Sequence, residues 1–66
     1  MSEDNPDYIT LLPGRNGYLV VRMFYSKSMD SYHIKGVVDH TVYKDKSEAV
    51  SRAVTIGMER KLEVRF

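Results

Sequence analysis

Tyr18-Leu19-Val20-Val21-Arg22-Met23-Phe24-Tyr25 is the run that decides the fold. Its β-branched and aromatic residues favour a pleated strand, in which successive side chains fall on opposite faces. Leu19, Val21, Met23 and Tyr25 share one face; Tyr18, Val20, Arg22 and Phe24 share the other. The charge at Arg22 turns the second face toward solvent and leaves the first for the core. Both faces are more apolar than a half-exposed strand needs.

Upstream, Tyr8-Ile9-Thr10-Leu11-Leu12 reads as a shorter strand that stops at Pro13-Gly14, with Asn16-Gly17 reinforcing the turn. Downstream, Ser26 to Ser31 is a polar loop, and alternation resumes from Tyr32 to Asp39 with Ile34 and Val38 on one face and His33, Lys35, Val37 and Asp39 on the other. His40 to Tyr43 continues this strand past a bend, with Gly36 as a bulge or a point of close approach. Asp45 and Glu48 have the spacing of a capping box, so a helix starts near Lys46. Ala49, Val50, Ala53, Val54 and Gly57 form its inner face, and Gly57 is the expected stop. Leu62 to Phe66 alternates again, with Leu62, Val64 and Phe66 inward. The expected class is α+β: a single small domain, β-β-β-α-β, with an antiparallel sheet and one helix packed on one face. Its core is expected from Leu19, Val21, Met23, Ile34, Val38, Val50, Ala53, Val54, Leu62 and Val64.

Sixty-six residues hold one domain, and 42% hydrophobic with 29% charged residues is a globular balance. The absence of cysteine excludes a disulfide framework, a thiolate nucleophile and a Cys-based zinc site. A chain this short without staples is marginal alone, which makes a homodimer one expected assembly. The net charge of +1 divides unevenly. Residues 1–7 carry Glu3, Asp4 and Asp7 and no base, an acidic flexible tail; residues 8–66, the folded domain, hold ten bases against six acids. The acidic start lacks the pattern of an export signal, and the longest apolar run, Tyr18 to Val21, is far too short for a membrane span. A cytoplasmic protein with no membrane partner is expected.

The catalytic inventory is poor. His33 and His40 fall on opposite faces of a strand, and Asp39 lies about 20 Å along from His33, too far for joint ligation. The serines sit in tail, loop and helix-start contexts, and no nucleophile elbow, P-loop or dinucleotide fingerprint occurs. Gly14-Arg15-Asn16-Gly17 has the spacing of a backbone-clamping G-x-x-G loop, but it joins two strands, where a hairpin turn explains both glycines. Neither an enzyme, a metal, a cofactor nor a small-molecule substrate is expected.

A hairpin about the Ser26–Ser31 loop with Tyr25 opposite Tyr32 puts Met23 opposite Ile34 and Leu19 opposite Val38 on the core face. On the outer face it puts Phe24 opposite His33, Arg22 opposite Lys35 and Val20 opposite Val37. Two cations side by side on an apolar, aromatic face suit phosphates and bases, or an acidic protein patch. Alternatively, Glu63 or Asp39 neutralises the pair and a second copy covers the apolar part.

The run from Tyr18 to Val54, with Val42-Tyr43-Lys44-Asp45-Lys46-Ser47-Glu48-Ala49 at its centre, resembles the three-strand-plus-helix DNA-binding domains found at the N-termini of tyrosine-type phage integrases and in AP2-like proteins. The resemblance implies a sheet lying in the major groove and contacts from Arg15, Tyr18, Arg22, His33 and Lys35, to which the aromatic Phe24 is added from its place on the same face. The body is less basic than those domains, and the strand Leu62 to Phe66 is extra. The layout is also similar to small phage inhibitors of host RNA polymerase. The expectation is a small regulatory binding protein of phage or mobile-element type that binds DNA through the exposed sheet face, with a stoichiometric protein-binding inhibitor or adaptor of a host enzyme as the alternative.

Overall fold

The structure is a computed structural model and describes residues 5–66. Glu3 and Asp4 of the acidic tail lie outside them. Strands β1 (Tyr8–Gly14), β2 (Gly17–Ser26) and β3 (Ser31–Tyr43) are followed by helix α1 (Lys46–Arg60) and strand β4 (Glu63–Val64). The class is α+β and the order β-β-β-α-β, in one sheet with strand order β3-β2-β1-β4. The sheet is antiparallel except at β4, which runs parallel to β1. The helix carries the chain from one sheet edge to the other, which is how a parallel neighbour arises. The final strand is shorter than Leu62–Phe66: two residues pair, Arg65 N–H adds a bond of 2.9 Å to the Ile9 carbonyl, and Phe66 is 65% exposed rather than inward.

Arg15 and Asn16 form a two-residue turn between paired Gly14 and Gly17. Gly17 takes φ 140°, and a Cβ there would meet the Tyr43 carbonyl, so glycine lets the end of β3 lie against it. The β2–β3 loop closes with Asp30 at φ 56° and its N–H donating to the Ser26 carbonyl at 2.7 Å.

The hairpin register begins as expected: Tyr25 faces Tyr32, Phe24 faces His33 and Met23 faces Ile34. It then shifts, because β3 inserts an extra residue at Lys35, so Arg22 faces Gly36 rather than Lys35 and Val21 faces Val37. A second insertion at Val38 puts Asp39, not Val37, opposite Val20. Each inserted residue reverses the parity of the strand. Ile34 and Val38 therefore do not share a face: Val38 packs on the core, while Ile34 is 46% exposed.

That core sits on the face expected to be outside. Ile9, Val20, Ala53 and Ile56 form its centre, with Leu11, Val38, Tyr43, Leu62 and Val64 packed around them. The helix thus covers the Val20 face of β2, and Leu19, Met23 and Tyr25 lie on the opposite, helix-free face. Ala49 and Ala53 are fully buried and small, which lets α1 approach the sheet closely. The buried stripe of the helix is Ala49, Ala53, Ile56 and Gly57; Val54, expected inward, is 42% exposed and Val50 is half-buried. Asp45 caps the helix by accepting from the Ser47 N–H at 3.2 Å. The helix does not stop at Gly57 but runs to Arg60, where Lys61 at φ 58° ends it and the Leu62 N–H bonds back to the Gly57 carbonyl at 2.9 Å. Gly57 is there for space: a Cβ would collide with the Val64 side chain and lie 3.0 Å from the Leu62 carbonyl oxygen.

Candidate functional site

The six residues singled out in the sequence do not form one surface. Arg22, Phe24, His33 and Lys35 lie together toward the loop end of the β2–β3 hairpin, on the helix side of the sheet. The Phe24 and His33 rings are 6.1 Å apart, and the Ser31 hydroxyl lies 3.0 Å from His33 Nε2. Arg22 and Lys35 are not left unpaired. Asp7, placed by the charge pattern in the tail, sits against the sheet with its Oδ2 2.9 Å from Arg22 and 3.9 Å from Lys35. The acid that neutralises the pair is therefore neither Glu63 nor Asp39. Arg15 and Tyr18 lie at the other end of the hairpin, Arg15 on the exposed turn.

β1, β2 and β3 contribute no lysine or arginine to the helix-free face. Near the Arg15–Asn16 turn, Leu12, Leu19 and Val42 line a shallow concavity, with Leu12 39% and Val42 46% exposed. Val21 is buried at the middle of the face. Toward the other end, Tyr32 meets Tyr8 and Tyr25 edge-on, with centroids 4.9 and 5.4 Å apart. The Arg65 guanidinium stacks 4.6 Å above the Tyr8 ring and is held by Glu63 at 3.1 Å. That contact keeps the Glu63 carboxyl below the usual carboxylate range. The Tyr25 hydroxyl donates to Asp30, whose carboxylate raises the phenol's pKa, and the Tyr32 hydroxyl donates to the Pro6 carbonyl at 3.3 Å. The rings are thereby fixed while their apolar faces remain partly accessible.

The turn end carries a different chemistry. Arg15 and Lys44 line one concavity with Tyr18, and Lys46 lines the adjoining one with Tyr18 and Phe66. Lys44 and Lys46 lie in the stretch that carries the resemblance but were not among the expected contacts, and Phe66 was expected inward; the pairing of β3 beside Gly17 and the return of β4 along β1 bring all three to Tyr18. On the helix side, Asp39 joins Tyr43 and Arg52 in a network that ties β3 to α1. Among the described residues no group of three or more His, Asp or Glu side chains is placed to hold a metal ion, and no helix is long and apolar enough to cross a membrane.

Comparison of the chain with protein-family models, with curated proteins and with solved structures finds no match.

Proposed function

We propose that the protein acts without catalysis, by binding another protein stoichiometrically through the helix-free face of its sheet. The observation that carries this reading is the composition of the face: Leu12, Leu19, Met23, Ile34 and Val42 with three tyrosines, and no lysine or arginine on strands β1, β2 or β3, Arg15 of the turn bordering it only at one end. A chain of 66 residues gains little by leaving such a face uncovered, and exposed apolar surface of this extent marks interaction sites. The molecule measures 38 × 24 × 17 Å. Its broad side is on the order of 900 Å², enough for the ~800 Å² that each partner buries in a standard interface. Aromatic residues are enriched in such interfaces, and here they cluster at one end of the face, where the Arg65–Glu63 pair stacks on Tyr8. The partner surface is accordingly apolar at its centre, and the mode of action is that of an inhibitor or adaptor that occupies it. DNA lying on this face would meet few charges, and the two cations that favoured it, Arg22 and Lys35, sit on the helix side with Asp7.

The test is affinity capture from lysate with nuclease present, using the wild-type chain, Leu12→Asp, Ile34→Asp and the control Met58→Asp on the outer helix face, where Met58 is 75% exposed. The expected outcome is one partner in stoichiometric amount, retained by the control and lost with either face variant. Loss on nuclease treatment, or equal retention by all variants, overturns the reading. So does a wild-type homodimer that Ile34→Asp dissociates, which would assign the face to a second copy.

A further inference from the structure

The turn end of the molecule gathers three cations around two aromatic rings. Arg22 and Lys35 lie on Asp7, Arg52 on Asp39 and Arg65 on Glu63, while Lys27, Arg60 and Lys61 stand elsewhere without an ion pair among the described residues. Arg15, Lys44 and Lys46 take part in no ion pair among the described residues. Of the nearby acids, Asp45 caps the helix, accepting from the Ser47 N–H and hydroxyl at 3.2 and 3.1 Å, and leaves one negative charge beside the three positive ones; Glu48 lines a separate groove with Arg52. Two aromatic rings lie among these cations. Tyr18 and Pro13 border both concavities, so Arg15, Lys44 and the turn backbone on one side adjoin Lys46 and Phe66 on the other. Tyr18 is half-buried, which fixes its ring, and Phe66 is 65% exposed.

We infer that this end is a binding site for single-stranded nucleic acid, meeting the helix-free face only at the Arg15–Asn16 turn. Arg15, Lys44 and Lys46 contact successive phosphates, and the Tyr18 and Phe66 rings receive unpaired bases. Cations supply most of the affinity of such sites and make it salt-dependent, while stacking on an aromatic ring is tolerant of sequence. A duplex could use the cations but not the rings, because its bases are already stacked on one another. The arrangement therefore favours the single strand.

Fluorescence anisotropy of a labelled oligothymidylate of about 12 nucleotides, titrated with the full chain at several salt concentrations, tests the site. Arg15→Ala and Lys44→Ala are each expected to weaken binding and to reduce the slope of log K against log salt by about 0.7, the value for one fewer phosphate neutralised on a single strand. Phe66→Ala is expected to weaken binding about fivefold or more with the slope unchanged, since it removes stacking and no charge. Tyr18→Leu keeps apolar volume under β3 and should do the same, with circular dichroism confirming its fold. Lys27→Ala in the opposite loop and Ile34→Asp on the helix-free face should bind like wild type, so the result is independent of the protein-binding reading. Equal or tighter binding of the matching duplex, an effect of Lys27→Ala equal to that of Lys44→Ala, or no salt-dependent binding at all would overturn the inference.

Discussion

Asp39 shows how much a single side chain decides. Its carboxylate accepts from the Tyr43 hydroxyl at 2.6 Å, the Thr41 N–H at 3.1 Å and Arg52 Nε at 3.1 Å. These bonds, that from Tyr43 foremost, hold its pKa down to about 2 from an ordinary 3.8, and they raise the pKa of Tyr43 in return. A carboxyl with a depressed folded pKa stabilises the fold above its unfolded value, and that contribution disappears as pH falls through the folded one. Asp39→Asn should therefore melt below wild type at pH 6, with the gap narrowing from about pH 4 toward pH 2. Thermal melts across that range check it, and a gap that stays constant would show that the ionised carboxylate is not what ties β3 to α1. Arg22 teaches the complementary lesson. Read locally, a lone charge on an apolar strand marks the solvent face, yet Asp7, fifteen positions earlier, sits 2.9 Å from it on the helix side.

At the scale of elements, strong local signals were readable and parity was not. The helix start was explicit in the sequence, since Asp45 caps α1 as its position implies. Asp45→Ala should cost about 1 kcal/mol in urea denaturation, and an unchanged midpoint would mean the cap bond to Ser47 contributes nothing. The β2–β3 hairpin was legible as far as Met23 opposite Ile34, because its loop fixes the register from that end. Beyond it the extra residues at Lys35 and Val38 break the count, and a bulge leaves only a faint trace in sequence. Gly36 was the one hint. A Cβ on it would meet no atom within 4 Å, so this glycine is no point of close approach; it pairs with Arg22 immediately after the extra residue Lys35. Gly57 misled for the opposite reason: its value is the closeness of Val64 and Leu62, which are distant from it only in a chain read without its fold. The turn-end cations and Phe66 were hidden in the same way, since three different elements deliver them.

For the whole molecule the deciding question is which side of a four-stranded sheet one helix covers, and a chain whose central strand is apolar on both faces does not answer it locally. Ala53 and Ile56 settle it by packing on Ile9 and Val20. The helix-free face is then the side available to a partner, and apart from Val21, which is 1% exposed at its middle, the stability of the fold should depend little on it. A domain of this length has roughly 3–10 kcal/mol of stability, so the two faces are separable by mutation. Val20 is fully buried, and Val20→Ala removes two methyl groups from a packed site at a cost of about 2 kcal/mol. For a domain of this size that lowers the melting temperature by about 8–16 °C. Leu19→Ala removes more atoms but from the half-buried, helix-free side, where the lining of Leu12 and Val42 already meets solvent. Its cost should stay below that of Val20→Ala, despite the larger truncation, while partner capture suffers more. Thermal melts of the two variants under one buffer decide the matter: if Leu19→Ala proves the more destabilising, the helix covers the other face and the proposed interface lies on the wrong side of the sheet.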